Sequence, residues 1–155
     1  MNEIICPSCG SLNIEYEKDT IVLSEPYGGE NSIMLDNYIC KDCDFEGDIL
    51  DLNDPIIIRE TNKLKSISCR NIIEFFEKIG ISSRALERIL GLQIRTLDKY
   101  KEANANPDPA EVTLLKLIRR FPWLLKVADD KFDLQKAHEI FMHEARKESK
   151  SIFFQ

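Results

Sequence analysis

Four cysteines in two pairs are the residues of this chain best suited to chemistry. Cys6 and Cys9 form one C-x-x-C pair, Cys40 and Cys43 form the other, and 30 residues separate the two pairs. Two residues between cysteines let both thiolates reach one ion, and four thiolates suit a tetrahedral Zn²⁺ in a closed structural site. The spacing therefore predicts one structural zinc ion per chain, with no open position for a reacting water.

Paired cysteines also occur in thioredoxin-like redox sites and in iron–sulfur clusters, which are the two alternatives for this motif. Two matched pairs favour a structural metal site over a single catalytic C-x-x-C pair. The fifth cysteine, Cys69, is expected to be a small buried thiol, and His138 and His143 are expected on the surface. Because the sequence has no Ser/His/Asp set, phosphate-binding glycine loop or HExxH motif, we expect no enzyme. A zinc- or thiol-dependent enzyme is the alternative from a different class.

A second candidate site lies in residues 82–100, where two helical patterns flank a turn at residues 91–93. This order is the helix-turn-helix plan, whose second helix meets base edges near its N-terminal end. In this chain that end carries Arg95, Thr96 and Lys99, and Arg and Lys are the usual partners of guanine. Contacts to the DNA backbone are predicted for Ser83, Arg84 and Lys101. The alternative interpretation is a pair of helices with solvated basic faces.

The charged residues are unevenly distributed between the regions that hold these two sites. Residues 1–60 contain 3 basic and 14 acidic side chains, a net charge of -11, whereas residues 61–155 contain 18 basic and 13 acidic ones, a net charge of +5. Opposite signs predict two modules with different partners. The acidic module should repel nucleic acid and attract a basic protein, whereas the basic module can approach phosphate.

Composition and targeting signals restrict the class of protein. The 155 residues are 43% hydrophobic and 31% charged, which excludes a disordered or collagen-like chain. No apolar run approaches the roughly 18 residues that span a bilayer, and the N-terminus lacks the basic and apolar regions of a signal peptide. These features predict a cytoplasmic protein with no membrane partner, whose thiols stay reduced.

The elements around the cysteines are predicted to be short strands. Strands are expected at residues 12–17, 20–23 and 32–35, with a turn at 26–29 and a short last strand at 56–58. About 60 residues with so few large apolar side chains would hardly fold unaided, so a metal is expected to stabilise them.

Helical periodicity dominates the second half of the chain. The first helix carries an apolar stripe at residues 72–79 and ends at Gly80, and the second is capped by Ser82 or Ser83 and closed by Gly91. Further helices are expected from Gln93, from about residue 110 to 120, and from Pro122. The tail over residues 129–155 reads as another helix whose apolar end, residues 152–154, either packs on the protein itself, frays, or docks on a chaperone or second subunit.

The sequence resembles MqsA-type antitoxins over roughly residues 4–128. The similarity lies in the order of cysteine pairs and helix-turn-helix, and in residues 99–109 (KYKEANANPDP), 114–117 (LLKL) and 121–125 (FPWLL). Members of that family join an N-terminal zinc domain to a C-terminal Xre-type helix-turn-helix. Two positions depart from the family pattern: Glu87 replaces a small residue, and Ala103 replaces a glycine, which leaves Asn104 to take the left-handed turn.

The resemblance implies a fold, partners and a function. The implied fold class is α+β: a zinc-binding β domain at residues 1–60, a linker at 61–67 and a five-helix Xre-type domain at 68–128. The sequence pattern adds a helical extension at 129–155, beyond the family's usual end. The implied protein is a homodimer that represses its own operon by binding a palindromic operator in double-stranded DNA. Its zinc domain would bind a basic, RelE-like RNA-cleaving toxin. The alternative is a phage or mobile-element repressor that has no toxin partner.

Overall fold

The computed structural model of the chain describes residues 4–102 and 106–152, with side chains described through Lys147. Within these residues a small antiparallel sheet precedes a series of helices. The strands are β1 (Ile14–Glu25), β2 (Gly29–Cys40) and β3 (Glu46–Gly47). The helices are α1 (Asn53–Lys78), α2 (Ser83–Leu90), α3 (Thr96–Lys101), α4 (Pro109–Arg120), α5 (Leu124–Asp129) and α6 (Leu134–Ile152).

The chain divides into two compact units, Met1–Lys65 and Ser66–Gln155. The first unit is built on a long hairpin in which β1 pairs with β2 from Ile14 opposite Cys40 to Glu25 opposite Gly29. Strands predicted separately at residues 12–17 and 20–23 therefore belong to one continuous strand. Both cysteine pairs lie at the open end of this hairpin, because Cys40 ends β2.

The tight end of the hairpin requires glycine at position 28. A Cβ added to Gly28 would lie 2.4 Å from the backbone oxygen of Leu64 in α1, far inside van der Waals contact. Leu64 is itself buried in the first unit, as are Ile33, Leu35 and Tyr38 of β2. The hairpin turn therefore packs directly against α1 at Leu64, at one edge of this small core.

The predicted fold class is wrong in its architecture, because α1 runs across the predicted boundary between a β domain and a five-helix domain. This helix begins at Asn53, inside the residues assigned to the β domain, and runs through the predicted linker at 61–67. Residues 56–58, predicted as a last strand, lie near its start. The fold is α+β with the sheet first, and the boundary between the two compact units falls inside α1.

The reason lies in the polar residues on the buried face of α1. Glu60, Leu64, Ser68, Ile72 and Phe76 are spaced four apart and all are buried, so they form one helical stripe. Glutamate and serine interrupt the apolar pattern that identifies a helix from sequence. The carboxylate of Glu60 stays buried because it accepts hydrogen bonds from neighbouring cationic and amide groups, among them Lys63 at 2.8 Å and Asn31 at 3.2 Å.

The second unit has a contiguous apolar core contributed by α1 to α5. Its fully buried side chains include Phe76 from α1, Leu86 from α2, Leu97 from α3 and Leu115 from α4. Predicted capping is confirmed for α2, since Ser82 accepts a hydrogen bond from the backbone of Ala85 and Gly91 ends the helix in a left-handed conformation. The predicted positions Ala103 and Asn104, like Phe153 and Phe154, lie outside the described residues.

Across residues 4–102 and 106–152, no helix combines the length and the apolar character needed to cross a membrane.

Candidate metal centre and nucleic-acid interface

The four paired cysteines come together at the open end of the hairpin. The Sγ atoms of Cys6 and Cys43 are 3.6 Å apart, those of Cys9 and Cys40 are also 3.6 Å apart, and all four lie within 4.8 Å of one another. A tetrahedral site with metal–sulfur bonds near 2.3 Å needs sulfur–sulfur distances of roughly 3.8 Å. The four thiols therefore fit a single metal ion, and the arrangement is consistent with zinc.

The two cysteine pairs lie on two backbone loops of the same kind. The amide of Gly10 donates to the carbonyl of Cys6 at 2.9 Å, and the amide of Asp44 donates to the carbonyl of Cys40 at 2.9 Å. Gly10 has φ of 76° and Asp44 has φ of 56°, so both loops end in a left-handed residue. Aspartate is among the few other residues that tolerate this conformation. The second loop thus reproduces the first without a glycine.

The loops leave the thiols in unequal electrostatic environments. Burial raises the pKa of Cys6. Hydrogen bonds, first among them those from the backbone amides of Cys9 and Ser8, have the larger, opposite effect and lower this pKa to about 7. The pKa of Cys9 is raised to about 12, because the thiol groups of Cys43 and the other two cysteines outweigh a backbone amide at Ser11. The four thiols are therefore not equivalent: the pKa of Cys6 is lowered and that of Cys9 is raised.

A hydrogen bond network that the sequence did not indicate joins the two loops. Asp42, inside the second cysteine pair, accepts a hydrogen bond from Ser11 at 2.5 Å and another from Asn13 at 2.9 Å. The Ser11 hydroxyl, followed by the Asn13 amide, lowers the pKa of Asp42. These residues hold the two loops together by direct hydrogen bonds. Their only signal in sequence is that they are polar residues next to cysteines.

A group of carboxylates lies on the same sheet. Glu17 and Asp19 of β1 and Glu46 of β3 are exposed and all accept hydrogen bonds from the buried amide of Asn37, at 3.4, 3.0 and 2.7 Å respectively. This group gives the first unit an acidic surface whose charges are held in place by one buried side chain.

The predicted helix-turn-helix occupies α2, residues 91–95 and α3. Leu86 of α2 and Leu97 and Tyr100 of α3 are buried in the core, which fixes the two helices against each other. Gln93, predicted to start the second helix, lies in the turn instead, and α3 starts three residues later. Arg95 just precedes α3 in a left-handed conformation with φ of 68°.

The structure places the predicted base-reading residues on the surface. Arg95 and Lys99 are exposed and Thr96 is half-buried. Next to them Ile94 is 79% exposed, an apolar side chain that sequence reasoning had not assigned to any site. Arg84, predicted to contact DNA phosphates, is exposed in the first turn of α2. These side chains and Gln93 make up an accessible surface around the start of α3.

Two of the predicted phosphate contacts are engaged elsewhere. Ser83 is buried, and its hydroxyl donates to the carboxylate of Glu77 at 2.8 Å. The Lys101 ammonium donates to both oxygens of the same carboxylate at 2.9 Å. Glu77 thus joins the end of α1 to the start of α2 and the end of α3, and the geometry assigns Ser83 and Lys101 a role in holding the helices together.

Glu87 of α2 accepts hydrogen bonds from the backbone at the start of α3. Its side chain is only 4% exposed, and its carboxylate oxygens accept the backbone amides of Arg95 at 3.1 Å and Leu97 at 2.9 Å. A helix leaves its first amides without partners inside the helix, and a carboxylate there satisfies them and interacts favourably with the helix dipole. Glu87 therefore orders the turn before α3.

The remaining candidates lie where they were expected. Cys69 is fully buried in the core of the second unit, and His138 and His143 are exposed on α6.

Comparisons of the chain with protein-family models, with curated proteins and with solved structures give no match.

Proposed function

We propose that the protein is a sequence-specific DNA-binding transcriptional regulator that uses α3 to read the major groove. The observation that carries this proposal is the arrangement of α2 and α3, which bury Leu86 and Leu97 together and leave the start of α3 accessible. Helix-turn-helix proteins present that end of the second helix to base edges.

Each accessible side chain has a role in the proposed complex. Arg95 is suited to bidentate hydrogen bonds with guanine, and Lys99 to guanine or phosphate. The methyl group of Thr96 and the exposed side chain of Ile94 are suited to contact the methyl group of thymine. Arg84 is suited to a phosphate, which fixes position without carrying sequence information. Ser83 and Lys101 are left out of this surface because both are bonded to Glu77.

The experiment that tests DNA reading is selection of bound duplexes from a random pool by the full-length protein. A homodimer should enrich an inverted repeat whose half-sites are centred about one helical turn, roughly 34 Å, apart. Enrichment of no sequence would refute the proposal, and enrichment of a single asymmetric half-site would refute its dimeric form.

The ion in the cysteine site is proposed to be one structural Zn²⁺ per chain. The four closely spaced thiols support this, since thiolate ligands with no other donor leave no position for catalysis. When bound, the ion would offset part of the negative charge of the four thiolates and tie the two loops together, and the hydrogen bonds from Ser11 and Asn13 to Asp42 hold the loops in position for it.

Elemental analysis of protein purified without added metal should give one zinc per chain. Cys40→Ser should lose the metal and the amide hydrogen-exchange protection of β1 and β2, because binding of the ion is coupled to folding of so small a unit. Cys69→Ala is the matched control, since it removes a thiol that lies outside the cluster, and should keep the zinc. Iron in place of zinc, or a full zinc content in Cys40→Ser, would contradict the proposal.

The acidic surface supports a further part of the proposal, that the first unit binds a basic protein. Residues 1–60 carry a net charge of -11, and Glu17, Asp19 and Glu46 are exposed together on the sheet. With the resemblance to MqsA-type antitoxins, this supports an antitoxin that binds a RelE-like RNA-cleaving toxin. We expect a neighbouring gene that encodes a short basic protein. The product of that gene should bind the full-length protein through the acidic surface of the first unit. Absence of such a neighbour would favour the alternative, a phage or mobile-element repressor without a toxin.

A further inference from the structure

One edge of strand β1 is open to solvent. The sheet has the order β1-β2-β3, so β1 lies at its edge and, among the strands of residues 4–102 and 106–152, pairs only with β2. The strand is 12 residues long, and residues 15–20 are all exposed. A long exposed edge presents a row of backbone groups with which a further strand can pair.

The backbone groups on this open edge belong to the even-numbered residues of β1. The amide of Lys41 donates to the carbonyl of Asn13 at 3.0 Å, so these two residues bond directly across the hairpin. Because bonded and non-bonded pairs alternate along an antiparallel ladder, the odd-numbered residues of β1 bond to β2. The residues whose amides and carbonyls point away from β2, toward the open edge, are therefore Tyr16, Lys18, Thr20 and Val22.

The side chains beside this edge are acidic on one face of the sheet. Glu17 and Asp19 of β1 are exposed on the same face as Glu46 of β3. Within the part of the chain that the structure describes, none of these three carboxylates forms an ion pair, and the ammonium of Lys41 is bound to Glu15 instead. Opposite charges that face each other on neighbouring strands stabilise a sheet. Basic side chains at alternate positions of an added strand would therefore complement this face.

The other face of the same edge is apolar. A cavity of about 310 Å³ opens on it, and the residues that line this cavity are Ile4, Leu12, Ile14, Tyr16 and Tyr38. The hydroxyl of Tyr16 donates to Asp36 at 2.7 Å, which holds the ring at the cavity wall, and further along the strand Val22 is 60% exposed. When a strand is added to a sheet, backbone bonds give affinity and pockets for alternate side chains give specificity. The cavity is such a pocket for an apolar side chain.

We propose that the open edge of β1 binds an extended segment of a basic partner protein, which adds a strand to the sheet. The added strand has basic side chains on the face of Glu17 and Asp19 and apolar side chains on the face of Tyr16 and Val22. Charge complementarity selects this occupant, because residues 1–60 carry a net charge of -11. A second copy of β1 added antiparallel would instead set the same carboxylates against one another, which is destabilising. The inference rests on the basic partner of the proposed function and specifies how the first unit binds it.

Amide hydrogen exchange followed by NMR tests this mode of binding. The probe is a peptide of four Lys-Val repeats, acetylated and amidated at its ends, added at low salt to the full-length protein. In the free protein the amides of Tyr16, Lys18, Thr20 and Val22 should exchange fast, whereas those of the odd-numbered positions should exchange slowly. Saturating peptide should slow exchange of the even-numbered amides by about 10-fold or more, because they gain hydrogen-bond partners. Fast exchange of these amides at saturation would overturn the proposal.

Two N-methylated versions of the peptide are the matched controls, since they keep its charge and side chains. Antiparallel addition turns the valine amides toward β1, whereas parallel addition turns the lysine amides toward it. One of the two methylated peptides, either that with methylated valine amides or that with methylated lysine amides, should therefore bind about 10-fold more weakly, and the other should bind as the parent peptide does. Equal affinity of all three peptides would show that charge alone holds them, and would overturn the strand addition.

Substitutions in the protein separate the backbone edge from its charges. Thr20→Pro removes one outward amide at a position where an edge strand tolerates proline, and should weaken peptide binding by about 10-fold. Thr20→Val keeps the amide and is the matched control. Glu17→Gln combined with Asp19→Asn should weaken binding at low salt and less so at high salt, because salt screens exposed charges. Full affinity in either Thr20→Pro or the double variant would contradict the proposal.

Failure of this inference can be distinguished from failure of the proposed partner. If a basic protein binds the first unit while the even-numbered amides of β1 still exchange fast, the partner proposal stands and the inference about the edge is wrong. If the peptide adds as a strand but no basic partner protein exists, the edge inference stands and the partner proposal falls. Slower exchange of the same amides at high protein concentration without peptide would identify a second copy as the occupant, and would overturn the inference.

Discussion

Glu87 shows how a single buried side chain determines the shape of the proposed DNA-reading surface. Its carboxylate holds the amides of Arg95 and Leu97, so the turn and the first residues of α3 depend on it directly. Arg95 precedes the helix with a left-handed backbone that arginine rarely adopts, and this conformation needs support from its surroundings. Glu87 thus has a capping role at the start of α3.

Substitution of Glu87 should therefore destabilise the second unit. Glu87→Ala should lower the free energy of unfolding by about 1–3 kcal/mol, because it leaves two backbone amides without a partner. Glu87→Gln, which keeps a side-chain oxygen, should cost less. Glu139→Ala, an exposed glutamate of α6, is the control and should change stability by less than about 0.5 kcal/mol. The measurement is urea unfolding, and an unchanged or higher stability of Glu87→Ala would show that a small residue at this position suffices.

At the level of elements, Glu77 joins three helices of the second unit. It accepts hydrogen bonds from Lys101 at the end of α3 and from Ser83 at the start of α2, and it is the penultimate residue of α1. The hydrogen bond from Lys101, followed by that from Ser83, lowers the pKa of Glu77 below its ordinary value of 4.5. The same ion pair raises the pKa of Lys101.

These shifts predict a pH dependence of stability. Because the folded-state pKa of Glu77 is depressed, its stabilising contribution is complete above pH 4.5 and is lost as the pH falls through the folded-state pKa. The stability difference between the parent and Glu77→Gln should therefore be largest near neutral pH and should shrink below pH 4.5. Urea unfolding of both proteins across this range, with Glu139→Gln as the exposed control, measures it. A difference that stays constant with pH would contradict the assignment.

The same elements show which parts of the fold could be predicted. The ends of α2 were predictable because Ser82 and Gly91 are local signals whose chemistry is independent of the rest of the chain. The start of α1 was not, because its buried stripe includes Glu60, which only the contacts of the folded unit make tolerable in a core. A helix cap depends on a few neighbouring residues, whereas a buried carboxylate depends on partners that are distant in sequence.

The candidate sites follow the same rule. The clustering of Cys6, Cys9, Cys40 and Cys43 was predictable, since the ligand chemistry of thiols requires them to converge. The contacts of Ser83 and Lys101 were not, because sequence periodicity places them on helix surfaces but does not reveal that Glu77 lies within reach of both.

At the scale of the whole molecule, the chain is composed of two compact units of opposite charge. Divided at the structural boundary, Met1–Lys65 has 5 basic and 14 acidic residues, a net charge of -9, and Ser66–Gln155 has 16 basic and 13 acidic residues, a net charge of +3. The segregation found from the sequence therefore holds for the units as they fold. It agrees with a division of roles in which the second unit approaches DNA and the first binds a basic partner.

The most direct test of the central claim compares Arg95→Ala with Arg84→Ala on the selected operator and on a scrambled duplex at several salt concentrations. Arg95→Ala should cost about 1–3 kcal/mol of binding free energy on the operator and relax specificity at one base pair per half-site. Arg84→Ala removes the same charge from a predicted phosphate contact, so it should weaken binding to both duplexes alike and reduce the salt dependence. If Arg95→Ala binds the operator as tightly as the parent, α3 does not read the bases and the central claim is wrong.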